Sequence, residues 1–305
     1  MSEILLTSYG DSKGQKKGIF ALDTDYGKAE LRIPLNGKCN AVTRDGNQTI
    51  YCEDRSGIYY LVFSENGSVV KEIETKYFYN YLNVTEDKIL LASFSHGVDA
   101  VYDKKTGKIT KEVIHERKGQ DGFGRSHYIR QLKDGWVISV ENKFNQIYVY
   151  ADDGLKIDHI EEFDEKNIRL MSFADEEKTV FLNTEVSNEL LVLDGTDFSL
   201  KETWKLTENQ DSFSGGHTID DQGRFVFVGI RGEDQIAVYK NQSGNVSFIE
   251  KIGCGKMPRD MMYENGLLYV SCTNENAVEV YQMKDDHLVL VNRIEINNPI
   301  TFEMR

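Results

Sequence analysis

The sequence is poor in the features that mark membrane, secreted, metal-binding or nucleic-acid-binding proteins. It has 3 prolines and 4 cysteines in 305 residues, and no Pro-rich, Ser-rich or low-complexity linker divides it. No apolar run approaches the ~20 residues of a membrane span, so no membrane partner is expected. Residues Met1 to Leu6 carry no basic stretch followed by an apolar run. No secretory signal is expected from that, and a cytoplasmic location is the expectation. Cys39, Cys52, Cys254 and Cys272 show no CxxC spacing, so they read as reduced packing residues, with Cys39 and Cys52 placed as neighbours across one hairpin. HxH, HExxH and calcium-loop spacings are absent too, so neither a metal nor a cofactor is expected. With 36 Lys and Arg against 50 Asp and Glu, the net charge is −14. Phosphate backbones need a concentrated basic face, so no nucleic-acid partner is expected.

What the chain does have is 16 tyrosines, 25 glycines and a repeat. The stretch from Ile168 to Leu193 reads IRLMSF, an acidic turn, TVFLNTE, a polar turn and ELLVL, with KETWKL following. Alternating β-branched and aromatic residues between Asp, Asn, Gly and Glu clusters predict a four-stranded meander. The third-strand pattern recurs as GIFAL, GIYYLVF, GVDAVY, NQIYVY, NELLVL, DQIAVY and NAVEVY, seven in all. Each has a second strand before it and a fourth after it. First strands precede only six: CNAVTR, YNYLNV, SHYIRQL, IRLMSF, GHTID and RDMMY. The first repeat lacks its own, and the C-terminal PITFEM, Pro299 to Met304, can supply it. A repeat of this period predicts an all-β, seven-bladed β-propeller of four-stranded antiparallel blades, its N-terminal blade closed by the C-terminal strand. It is expected to form a single domain over residues 1–305.

In such a fold the starts of the first strands and the ends of the second strands surround one mouth of the central channel, where a concave site is expected. Aligning the repeats places Asn40, Tyr81, His127, Arg169, His217 and Arg259 at the strand starts. The second-strand ends are Glu53, Phe94, Glu141, Glu185, Arg231 and Thr273. Channel-lining Arg and Glu also serve as structural ion-pair rings, because polar groups there must be paired. Other motifs fail: the GCGK stretch at Gly253 to Lys256 lacks the Ser or Thr of a phosphate loop. Ser214-Gly215-Gly216-His217 lacks the context of a nucleophile elbow and reads as a flexible channel loop. No Trp-Asp pair closes the blades.

Four stretches carry a resemblance: SHYIRQLKDGWVISVENKFNQIYVY, IRLMSFADEEKTVFLNTEVSNELLVLD, GHTIDDQGRFVFVGIRGEDQIAVY and GKMPRDMMYENGLLYVSCTNENAVEVY. They resemble the lactonase family of seven-bladed propellers, which includes propeller-type 6-phosphogluconolactonases and 3-carboxy-cis,cis-muconate cyclases. The resemblance places a channel histidine at His127, an Arg and Glu pair at Arg169 and Glu185, a second histidine at His217, and further arginines at Arg231 and Arg259. The chain departs from the family at Leu170, where a histidine usually follows the arginine, and at Arg125-Ser126, where the approach to His127 is less histidine-rich. The activity implied is lactone hydrolysis. The expected catalytic residues are Glu185 or His127 as general base and His217 as donor to the leaving oxygen. Arg169, Arg231 and Arg259 are expected to grip an anion and hold the oxyanion, with Glu141 binding substrate. The partner implied is a small-molecule lactone, phosphorylated or carboxylated. The alternative is a non-catalytic binding platform with partners on loops such as His115 to Arg125, or a relative acting on an unphosphorylated lactone.

Overall fold

A computed structural model of the chain describes residues 3–304 apart from 11–15, 24–26, 118, 120–121 and 165. Within each meander the second and third strands are the apolar ones. Thr179–Thr184 and Phe225–Ile230 are buried at every residue. The fourth strands, such as Leu200–Lys205, alternate between exposed and half-buried residues because one face meets water. Among the described residues the strands form seven four-stranded antiparallel sheets, the blades of the expected architecture. Six follow sequence order, with first strands Lys38–Asp45, Tyr81–Val84, Ser126–Gln131, Ile168–Ala174, Ser214–Ile219 and Pro258–Glu264. In six blades the pairing of third with fourth strand slips at an equivalent place, for instance between Val149 and Tyr150, Val238 and Tyr239, and Val280 and Tyr281. Such a bulge increases the local right-handed twist.

The seventh sheet runs Pro299–Phe302, Ile4–Ser8, Gly18–Asp23, Lys28–Pro34, so the C-terminal strand supplies the missing inner strand. Leu6 faces Phe302 and Ser8 faces Pro299. The strand expected to run to Met304 ends at Phe302. Asp260 explains the position of that end, its Oδ2 accepting from the Phe302 N–H at 2.9 Å and from Thr301 Oγ1 at 2.7 Å. Met304 turns away, donating its N–H to Val42 O at 2.8 Å and forming a parallel bridge with Thr43.

The chain divides into two compact units. One comprises Met1–Lys16, Phe20–Leu31 and Leu170–Phe302. Its cores pack Leu6, Phe20, Tyr269 and Phe302, then Phe181, Val228 and Tyr239, then Phe227, Val270 and Tyr281. The other comprises Lys17–Ile19, Arg32–Arg169 and Glu303–Arg305, with cores around Ile50, Phe63, Tyr79 and Tyr102, and around Ile129, Tyr148 and Tyr150. The described cysteines are free, and Cys39 and Cys52 lie near one another across one strand pair, Ala41 facing Cys52.

Candidate active site

Glutamates recur at the ends of the second strands, but they do different work. Glu53 is buried and accepts the N–H groups of Asn36 at 2.6 Å and Gly37 at 2.7 Å, with Arg55 Nε at 2.7 Å. Glu141 is also buried, accepting from the N–H groups of Arg125, Phe144 and Lys143, the last at 2.9 Å. Burial pushes its carboxyl pKa up and those backbone donors oppose the rise. The structure therefore places Glu141 where it closes a turn, with its oxygens occupied by the backbone.

Glu185 follows the strand Thr179–Thr184 and takes another course: it pairs with Arg231, which follows the strand Phe225–Ile230 of the next blade. Their side chains are 21% and 16% exposed, so the pair is largely but not wholly withdrawn from water. Backbone bonds fix both ends. The Ser214 N–H reaches Glu185 O at 3.1 Å and the Arg231 N–H reaches Phe213 O at 3.0 Å.

The stretch Ser214-Gly215-Gly216-His217 is the buried start of the strand Ser214–Ile219: the strand expected from Gly216 begins two residues earlier, and the flexible loop expected over the same four residues is not there. Glycine's weak strand preference misleads there. A Cβ at Gly215 would meet Arg231 Cγ at 2.8 Å and run into Pro258 O, and one at Gly216 would meet the Asp260 backbone at 2.7 Å. Glycine is what lets the two inner strands come together.

His217 is buried, its Nδ1 3.3 Å from Leu170 O and its Nε2 3.0 Å from Ser172 Oγ. A carbonyl only accepts, so Nδ1 carries the proton, and Nε2 accepts the Ser172 hydroxyl. Burial lowers the imidazole pKa to about 4, against the opposing pull of the Leu170 carbonyl. His217 is thus neutral at physiological pH. Arg259 is half-buried on the strand Pro258–Glu264, and no ion-pair partner is found for it among the described residues.

In the other unit, His127 meets the Phe94 ring edge-on at 5.3 Å, and the Arg125 guanidinium lies 5.4 Å from the same ring. Arg169 is buried. The start of the loop proposed as a docking element is anchored: His115 is buried, its Nε2 2.9 Å from Asp99 Oδ2. Among the described residues no group of three or more His, Cys, Asp and Glu side chains is placed to hold a metal ion, and no helix is long and apolar enough to cross a membrane.

Sequence reasoning missed Ser172 and Asn183. Asn183 accepts the Leu170 N–H at 3.0 Å and donates to Ser214 Oγ at 2.8 Å and Gly215 O at 3.2 Å, stitching together the strands that carry Ser172 and His217. The signal was present as an asparagine inside the apolar run TVFLNT, since a buried polar group needs partners.

A family model described as Lactonase, 7-bladed beta-propeller matches residues 3–302. Among characterised relatives, the chain is 24% identical to a 6-phosphogluconolactonase of Bacillus subtilis (strain 168), over 87% of this chain and 86% of that one. Among solved structures, a Lactobacillus plantarum protein superposes with a TM-score of 0.87 at 16% identity, covering 99% of this chain and 98% of that one. A periplasmic gluconolactonase of Pseudomonas aeruginosa gives 0.81 at 14% identity, covering 98% of each.

Proposed function

The chain belongs to the seven-bladed β-propeller lactonase family, and from that premise we propose that this lactone hydrolase opens a sugar lactone at the site built on Glu185 and Arg231. The observation that carries the reading is their half-open ion pair at matched positions of adjacent blades. A carboxylate paired to an arginine that substrate can engage supplies both a base and an anion holder in one place. In the mechanism, the Arg231 guanidinium turns to the lactone carbonyl oxygen and holds the charge that develops there. Glu185, released from the pair, takes a proton from the attacking water and returns it to the ring oxygen as the C–O bond breaks. The product is the open hydroxy acid, and every proton is accounted for.

His217 has a different part from the donor role expected of it. An imidazole held neutral down to about pH 4 has no spare proton on Nε2. Its place in the mechanism is to hold Ser172 and Leu170, and so to tie the strand Ser214–Ile219 to the strand Ile168–Ala174. Arg259, on the strand Pro258–Glu264 of the same unit, is assigned to the grip on a phosphate or carboxylate of the substrate. The 6-phosphogluconolactonase relative supports a phosphorylated sugar lactone as substrate, and the free cysteines agree with a cytoplasmic location. The test is acid release from freshly generated 6-phosphogluconolactone and from glucono-δ-lactone, measured against the spontaneous rate. Faster turnover of the phosphorylated compound is expected, and no acceleration of either would refute the reading.

A further inference from the structure

Four blades begin their inner strand from a residue in the left-handed backbone region: Asn167 (φ 54°), Phe213 (φ 54°), Met257 (φ 60°) and Asn298 (φ 49°). The turn requires that conformation, and asparagine tolerates it far better than a bulky side chain does. Two blades use asparagine. The two that do not are those whose inner strands start beside Arg231. Buried packing accompanies two other apolar left-handed residues: Leu155 (φ 56°) is 1% exposed and Phe198 (φ 56°) is 5% exposed. Phe213 has no such compensation, being 41% exposed.

The surroundings single out Phe213 a second time and tie Met257 to the same turn. At three of these turns the N–H of the left-handed residue is received by an Asx side chain: Asn167 by Asn145 Oδ1 at 2.6 Å, Met257 by Asp234 Oδ1 at 2.8 Å, Asn298 by Asn276 Oδ1 at 3.0 Å. At the fourth, the matching Asn188 Oδ1 has no partner among the described residues. The connection there is also longer, eight residues (206–213) between Lys205 and Ser214 against four (254–257) between Gly253 and Pro258. Phe213 is positioned by the site itself: its carbonyl accepts the Arg231 N–H at 3.0 Å and lies 3.5 Å from Arg231 Nε. Met257 grips the other end of the same turn through Asp234. The turn from Arg231 to Asp234 thus lies between two strained apolar residues, and strain kept where stability gains nothing points to function.

We infer that Phe213 and Met257 are specificity-determining residues, forming an apolar wall that receives the C–H face of the lactone ring while Arg231 engages its carbonyl oxygen. The inference rests on the lactone-hydrolase reading of this site. Sugar rings present such a face, and aromatic and thioether groups suit it. The wall touches ground state and transition state alike, so it sets KM more than kcat.

The experiment uses Phe213→Asn and Met257→Asn, which install the residue the other blades use. Each should hold or raise Tm, by about 2 °C, and raise KM for the lactone about tenfold with kcat little changed. In wild-type protein carrying 13C-methyl methionine, 6-phosphogluconate or gluconate should shift the Met257 methyl resonance, identified by its loss in Met257→Asn. If wild type turns over lactone while both variants keep KM within twofold, or if both variants lose Tm, the wall is overturned. If wild type turns over no lactone, the lactonase reading falls, and an unmoved Met257 resonance takes the wall with it.

Discussion

Replacing Arg231 with alanine separates the site's chemistry from its contribution to stability. An exposed ion pair is worth about 0–1 kcal/mol, and breaking a buried one by removing a partner costs about 3–5 kcal/mol. The Glu185–Arg231 pair, at 21% and 16% exposure, lies between these limits, so a stability loss of about 2 kcal/mol is expected, or about 4 °C in Tm. The loss of activity should be larger. Removing one oxyanion donor costs about 10²–10³ in rate. Glu185→Gln keeps the side chain's size and removes the base, for a loss of about 10²–10⁴. Because the two residues act as one unit, the double variant should be hardly worse than the poorer single one. The assay is acid release at constant pH on fresh lactone, with the spontaneous rate subtracted and urea unfolding run in parallel. Retention of kcat/KM within threefold by Arg231→Ala, or multiplicative losses in the double variant, would refute the assignment.

Three further outcomes follow from named contacts. His217 has a pKa of about 4 in the fold against 6.5 ordinarily. The unfolded chain therefore binds more protons between those values, and stability is full above pH 6.5 and declines as pH falls toward 4. The decline is on the order of 3 kcal/mol, and it should flatten in His217→Asn; an unchanged slope in urea titrations across pH 4–7 would count against the burial argument. Phe302→Ala, at a buried position in the closing strand, should cost about 3–5 kcal/mol, and a loss under about 1 kcal/mol would mean the closure contributes little. Glu141→Gln turns one accepting oxygen into an NH2, leaving the Phe144 N–H or the Arg125 and Lys143 N–H groups without an acceptor, and should lower stability by about 1–3 kcal/mol while kcat/KM holds. A kinetic defect at unchanged Tm would instead return Glu141 to the substrate.

The blades were legible because the repeat multiplies a weak signal: one run such as DQIAVY is ambiguous, but seven in matched positions are not. The Glu185–Arg231 pair was brought within reach by the same alignment, since equivalent repeat positions have equivalent geometry. Telling Glu185 from Glu141 needed one step more. The next blade offers Arg231 at the position following Glu185, but Glu185 itself at the position following Glu141, so only one of the two meets an opposite charge in the series. The strand Ser214–Ile219 was legible from Gly216 as GHTID, but its start was obscured because a glycine pair reads as a loop locally, and only the close approach of Pro258 and Asp260 reveals why it is there. His217's neutrality was hidden for a related reason, since it depends on burial strong enough to override the opposing pull of the Leu170 carbonyl, a balance that no repeat alignment encodes.

The closing strand also has a consequence for synthesis. Ile4–Ser8 is made well before its partner Pro299–Phe302, which follows roughly 290 residues later. At about 5–20 residues per second that interval is about 15–60 s. Throughout it the nascent chain displays a bare strand edge, the kind that recruits stray strands from neighbouring chains. The hazard is removed only when Pro299–Phe302, made after the strands of all the other blades, pairs with that edge.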